Sequence, residues 1–209
     1  MQIFAAFRST VTRAVFAGLA LTLSAQPAFA DKSAENFVQA ILDEAEPALS
    51  ISDRDEMFAA IEVLVDKHVD MRRIGRFVLG QYARQMTDEQ ATAYYPLFQR
   101  YATQIYQNTL SDYAGQRLNV TGSVDRSERD IIVNSKIENP EPGDPFANAV
   151  IHWRVYRSRD GDMTVVDAGA DNVWLAIEQR SQFTSIIANN GGGERGIDAL
   201  IAELKNRVN

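Results

Sequence analysis

The sequence predicts an α+β fold: a curved antiparallel sheet of about four to five strands packed on N-terminal and C-terminal helices. Three observations predict it. Apolar residues recur at helical spacing from Ala34 to about Tyr113, at a period of two from Leu118 to Ile177, and at helical spacing again from Gln179 to Val208. The strand-like runs are joined by short polar turns such as Ser127-Glu128-Arg129-Asp130 and Arg159-Asp160-Gly161-Asp162, and links that short favour an antiparallel meander. No internal repeat is visible, so residues 31–209 are expected to form a single domain.

Residues 1–30 read as a secretory signal peptide. Arg8 and Arg13 precede the apolar run Val15 to Leu23, and Ala28-Phe29-Ala30 supplies a small-residue cleavage pattern before Asp31. The mature chain is expected to begin near Asp31, outside the cytoplasm. The sequence has no cysteine, so neither a lipid-attachment thiol nor a disulfide is available, and stability must come from a hydrophobic core. No later apolar run approaches the roughly 20 residues of a membrane span, which predicts a soluble product. Cleavage removes two arginines and no acid, taking the formal charge from −7 to −9. Such a balance opposes sequence-independent nucleic-acid binding and adsorption to anionic lipid.

The elements follow in order. Phe37, Ile41 and Ala45 mark a first helix from Ala34 to about Leu49. Ser52-Asp53-Arg54-Asp55 starts a second, with the stripe Phe58, Ile61, Val65 and Leu64 beside it. Met71 to Tyr82 reads as a third. Thr87-Asp88-Glu89-Gln90 is a capping-box pattern opening a long helix to about Tyr113, with Pro96 predicting a kink and Gly115 closing it. Leu118, Val120 and Val124 mark the first strand, Ile131, Val133 and Ile137 the second, and Ile151, Trp153 and Val155 the third. Met163 and Val165 mark the fourth, and Val173, Leu175 and Ile177 a fifth or a continuation past Gly169. An acidic proline loop runs from Asn139 to Pro145. Helices from about Gln179 to Asn189 and Gly196 to Val208, joined through Gly191-Gly192-Gly193, end the chain.

Catalytic patterns are scarce. The two histidines, His68 and His152, lie far apart and have no metal-ligand spacing, so a strand histidine such as His152 reads as solvent-facing or structurally bonded. The glycine run lacks the Lys-Ser/Thr ending of a phosphate loop. Asp167, among Val165 and Val166, is the carboxylate to inspect for burial, with a structural acceptor role favoured over a catalytic one. More informative is the long helix, whose Tyr94, Tyr95, Phe98, Tyr101 and Tyr106 exceed what one narrow stripe hides. A core explains them most simply. A kinked helix against a curved sheet would also leave a wedge, the usual form of an apolar ligand pocket.

Three stretches carry a family resemblance. Val78-Leu79-Gly80-Gln81-Tyr82, running on to Thr87 and Gln90, is the first; Tyr101 to Val120 with Tyr113-Ala114-Gly115 is the second. The third is Val165-Val166-Asp167, Val173, Leu175 and Gln179-Arg180-Ser181-Gln182-Phe183, followed by Gly196 to Ile201. Together they resemble the MlaC-type periplasmic phospholipid carriers, the toluene-tolerance family of auxiliary components to Mla-type ABC transporters. The chain departs from that pattern at Met163, where the family usually has a tryptophan, and near Asn172 and Trp174, where it has a glycine and a serine.

The resemblance implies an NTF2-like cone that holds acyl tails in an internal apolar cavity and maintains outer-membrane lipid asymmetry. It implies no catalytic residue, metal or cofactor beyond a bound phospholipid as cargo. The implied partners are an inner-membrane ABC transporter with an MCE-domain ring and an outer-membrane lipoprotein complex, with the carrier itself a periplasmic monomer. The tail-lining residues expected from both sides of the wedge are Ile74, Phe77, Val78, Tyr82, Leu97, Phe98, Tyr101 and Ile105 on helices, and Val133, Trp153, Val165 and Leu175 on the sheet. Two alternatives stand beside this. One is a carrier of hopanoid or another apolar lipid, left open by the larger Trp174; the other is an NTF2-like enzyme using Asp167 with a tyrosine such as Tyr101.

Overall fold

Acceptor side chains start the first four helices in the computed structural model, which describes residues 31–111, 116–140, 142, 147–170 and 173–208. Asp31 accepts from the Ala34 amide at the head of α1 (Lys32–Leu49), and Asp53 from Glu56 at the head of α2 (Arg54–His68). Asp70 accepts from Arg73 at the head of α3 (Met71–Val78). Each satisfies one of the orphan amides that a helix start leaves. The capping box opens α4 (Asp88–Ser111): the Gln90 amide donates to Thr87 Oγ1 at 3.1 Å, and the Thr87 amide to Gln90 Oε1 at 3.2 Å. Residues 1–30, expected to be a signal peptide, the expected C-terminal closure of α4 at Gly115 and most of the acidic proline loop lie outside the described residues.

Strands β1 (Leu118–Ser127), β2 (Asp130–Ile137), β3 (Ile151–Arg157), β4 (Met163–Ala170) and β5 (Val173–Trp174) form one antiparallel sheet in sequence order. Its pairing sets Leu118 against Ile137, Val133 against Trp153, and Val155 against Val165. Strand β1 does run through Gly122, whose φ of 149° accompanies a register shift after Val120. Helices α5 (Leu175–Asn189) and α6 (Gly193–Val208) complete the chain. The link between them explains its glycines, because Gly191, Gly192 and Gly193 all have positive φ, and the Gly192 amide returns to the Ile187 carbonyl at 2.9 Å.

Two element expectations need correction. The third helix ends at Val78, and Gly80–Arg84 form a separate 3-10 turn, because Gly80 takes a φ of 57° that breaks the α-helix. Helix α4 runs unbroken through Pro96. Leu175 and Ile177 belong to a helix: Asp167 accepts from the Ala176 amide at 3.0 Å and starts α5 after only two strand residues.

The core has two parts. One is sheet-based: Ala34, Val38 and Leu42 of α1 pack on Leu118, Ile131, Val133, Ile137 and Val155. The other is helical and gathers α2, α3, α4, α5 and α6 around Ile61, Ile74, Phe98, Phe183 and Leu200. The end of α2 ties the two together, since Val69 bridges Val165 and the Asp70 amide donates to the Val165 carbonyl at 3.0 Å.

Asp31, the expected first mature residue, also joins the N-terminus to β3. Burial pushes its carboxyl up, but bonds from Ser33, the Ala34 amide and Arg157 outweigh burial and hold it at about 2, against an ordinary 3.8. A depressed native value stabilises the fold above the unfolded value, and that stability is lost as pH falls from 3.8 towards 2. Asp31→Asn is therefore expected to cost about 2 kcal/mol at neutral pH and to flatten the loss of stability in that acid window. Urea unfolding at pH 7 and pH 3 checks both, and an unchanged acid slope would contradict the assignment.

Candidate functional site

Between the two cores lies a hollow of about 260 Å³. Helix α1 contributes Ile41, Leu42, Ala45 and Leu49; α2 contributes Ile61, Leu64, Val65 and His68. The far wall is the sheet, with Leu118, Ile151, Trp153, Val165 and Ala168 to Ala170. Tyr106 and Thr109 from the end of α4 close one side, with Gln116 and, at the sheet edge, Val173 and Leu175. The hollow lies where α1 and α2 each present an apolar pair, Ile41 with Leu42 and Leu64 with Val65, and all four side chains line it. Gly169 keeps the wall thin. A side chain built there would strike the Val173 carbonyl and approach the Trp174 ring to 3.2 Å.

Two polar groups at the wall, on Trp153 and His68, are turned to partners in the protein. Trp153 donates its indole N–H to Ser135 Oγ at 2.9 Å, leaving apolar ring surface for the hollow. His68 bonds through Nε2 to Glu44 Oε2 at 2.8 Å and has Phe37 edge-on at 6.1 Å. Burial pushes the Tyr106 phenol well above its ordinary value, and the nearby Asp167 carboxylate adds to it. The other histidine, His152, bonds to Asn134 at 2.7 Å and stacks on Trp174 at 5.7 Å. Among the described residues no group of three His, Asp or Glu side chains is placed to hold a metal.

Of the residues expected to line a tail cavity, Trp153, Val165 and Leu175 do line the hollow. Ile74, Val78, Leu97 and Phe98 are buried in the helical core, and Phe77, Tyr82 and Tyr101 pack against it. Val133 is buried in the sheet core, and Ile105 is half-buried on α4. These nine are not on the wall of the hollow: α5 and α6 pack over the aromatic face of α4, and Val133 belongs to the core between α1 and the sheet. Phe183 of α5 meets Phe98 edge-on at 6.2 Å and Tyr101 at 5.7 Å. The wall residues not singled out as tail-lining were legible as apolar neighbours on the stripes of α1 and α2. What covered them was not.

Asp167 is 2 % exposed and is a helix-starting acceptor. One oxygen accepts from the Ala168 and Ala176 amides at 2.9 and 3.0 Å. Burial raises its carboxyl above the ordinary value even though those bonds and Arg154 oppose the rise. Tyr101 is not its partner: the Tyr101 hydroxyl accepts from Arg207 at 3.1 Å. A raised native value means that stability is present at low pH and is lost as pH rises from 3.8 through that value. Asp167→Ala strands two amides and is expected to cost about 2–3 kcal/mol. Asp167→Asn keeps one acceptor, removes the buried charge, and should unfold within about 1 kcal/mol of the parent while losing this pH slope. Chemical denaturation from pH 4 to pH 8 checks both; equal losses in the two variants would exclude the capping role.

Among solved structures, the chain is similar to a phospholipid-binding protein from Ralstonia solanacearum, determined in complex with a phospholipid. The TM-score is 0.67 at 22% identity, over 84% of this chain and 96% of that one. This likeness establishes the shared fold. No helix among the described residues is long and apolar enough to cross a membrane. The sequence model of the MlaC protein family matches residues 32–206, nearly the whole of the described fold, and the chain therefore belongs to the MlaC family.

Proposed function

We propose that this protein is a periplasmic lipid carrier that shelters acyl tails in the hollow between α1, α2 and the sheet. The observation that carries the reading is the hollow itself, an unfilled space whose exposed lining is almost wholly apolar. Two further facts support it: membership of the MlaC family, and a fold shared with a protein described as phospholipid-binding. The physics sets the task. Each exposed methylene costs about 0.8 kcal/mol, so two long tails face more than about 20 kcal/mol in crossing water. Apolar burial replaces that loss without any covalent step, so the protein acts by binding and release, not by catalysis. Trp153, Val165 and Leu175, with Ile41, Ala45 and Leu64 opposite, are the proposed tail contacts.

The hollow lies along the seam between the two cores, and we infer that a phospholipid loads by separation of the α1–α2 layer from the sheet there. The route we infer runs between an outer-membrane lipoprotein complex and an inner-membrane ABC transporter with an MCE-domain ring. Trp174, whose size kept a hopanoid cargo open, stacks on His152 and is not on the wall. To test the proposal, residues 31–209 are purified without detergent, extracted with organic solvent and analysed by mass spectrometry. A co-extracted phospholipid is expected. Absence of any lipid, together with no uptake from labelled vesicles, overturns the reading.

A further inference from the structure

One face of this acidic chain is basic. From Met71 to Thr87, through α3 and the 3-10 turn, there are four arginines, no lysine and no acidic residue, although acids outnumber bases by 28 to 21 over the whole sequence. Arg72, Arg73 and Arg76 are exposed and share one side of α3, because at 3.6 residues per turn these positions span only about 100°. Arg180 of α5 joins them: its guanidinium carbon lies 4.9 Å from the centroid of the Phe77 ring, and its side chain runs past Gly80. Glu178 stands about 160° round α5 from Arg180, on the far side of that helix.

These guanidinium groups are laid on rings more than they are paired with acids. Arg72 sits 4.8 Å from the centroid of Tyr95, and Arg73 3.6 Å from that of Tyr156. Among the described residues, Arg73 alone of Arg72, Arg73, Arg76 and Arg180 has a carboxylate partner, Asp70 at 3.2 Å. A ring holds a guanidinium by its face and leaves the edge donors free to turn outward. Acids elsewhere on the chain do not cancel such a patch, since charges on the surface are screened beyond about 8 Å at physiological salt.

An apolar area lies one turn back along α5. Ile177 is 49 % exposed, three residues before Arg180 and about 60° from it round the helix. Val173 of β5, 52 % exposed, also lines the hollow, so the arginines lead through Ile177 to the rim of the apolar space. Cations beside exposed apolar groups fit a partner with anions at its surface and hydrocarbon beneath, which is the make-up of a bilayer. An acidic protein face would satisfy the arginines and leave Ile177 and Val173 without a role.

We propose that Arg72, Arg76 and Arg180, with Ile177 and Val173, form a docking face on which the protein settles against an anionic lipid bilayer, with the rim of the hollow turned to the membrane. The arginines meet the anionic surface, and Val173 and Ile177 enter the headgroup layer. The net negative charge opposes adsorption by any other side, so it orients the molecule as well. Attachment needs no cargo, so the docking face goes beyond the carrier reading and stands or falls separately from it.

Residues 31–209 are sedimented with vesicles of phosphatidylcholine alone, or of equal parts phosphatidylcholine and phosphatidylglycerol. Each guanidinium near an anionic surface is worth about fivefold in partition, so three predict a preference of about a hundredfold for the anionic vesicles, lost as salt is raised. Arg76→Gln should lose about fivefold, and the combined Arg72→Gln, Arg76→Gln and Arg180→Gln variant should bind both vesicles alike. Ile177→Ser should weaken binding and leave its salt dependence unchanged. The charge control is Lys136→Gln, exposed on β2 opposite the buried side of that strand, which should bind as the parent does. Circular dichroism on each variant separates these effects from unfolding. No preference in the parent, or a preference that survives in the triple variant, overturns the docking face. Poly-L-glutamate held by the parent and released by the triple variant, with no vesicle bound, assigns the face to an acidic protein and overturns the lipid surface. Vesicle binding by a protein that yields no extractable lipid supports the docking face and overturns the carrier reading alone; extractable lipid without vesicle binding does the reverse.

Discussion

Replacing Ala45 with tryptophan is expected to cut the lipid that co-purifies with the protein by roughly tenfold or more, without lowering its melting temperature. Ala45 is half-buried on α1 and faces the hollow, so an indole there takes the volume that a tail would use. Filling empty apolar space restores dispersion contacts, and cavity volume costs about 24 cal/mol per Å³, so the change in stability is neutral or favourable. Ala168→Trp approaches the same space from the sheet, where Ala168 pairs with Trp153, and should act alike. The control is Val63→Trp on α2, a position 65 % exposed and away from the hollow, which should leave the lipid content unchanged. Mass spectrometry of extracts and thermal denaturation read both quantities. Full lipid content in both blocked variants would place the tails elsewhere.

Much of the fold was legible because local signals and tertiary structure agree. The Thr87–Gln90 capping box forms as expected, and Gln90 does more than its pattern implies: its amide nitrogen also donates to the Glu194 carbonyl and Asp198 of α6. The meander follows from its short turns, and Asp53 before α2 acts as an acceptor. Agreement fails where a pattern is too short to choose. Val173, Leu175 and Ile177 alternate over only five residues, and a carboxylate six or more positions upstream decides for a helix through a bond that no local window contains.

The site was half legible for a related reason. Periodicity shows which face of a helix is apolar but not which element covers it. The aromatic surplus of α4 was correctly seen as more than one stripe, and it is met by α5 and α6, whose positions depend on long-range packing. The space left uncovered falls on α1 and α2, whose second apolar rows carry no aromatic signal and look like ordinary core. On the sheet, alternation pointed to Val133, Trp153 and Val165 alike, and only the last two line the hollow, because Val133 is taken up in the core beneath α1.

That difference makes Phe98 the sharpest position at which to separate packing from cargo. Its side chain is fully buried, stacked on Tyr94 at 5.7 Å and edge-on to Phe183 at 6.2 Å. It also fills the gap against α3 at Gly75, where a Cβ would come within 2.9 Å of the ring. Phe98→Ala should cost about 3–5 kcal/mol, a large share of the roughly 5–15 kcal/mol that holds a domain together. For a chain of this length the melting temperature should fall by about 10 °C or more. The hollow does not touch Phe98, so lipid bound per folded molecule should match the parent protein, the reverse of the Ala45→Trp result. Thermal denaturation and lipid extraction on the same sample decide it. If Phe98→Ala loses its lipid while its melting temperature holds, the tails sit among α3, α4 and α5, and the hollow beside α1 is not where the cargo travels.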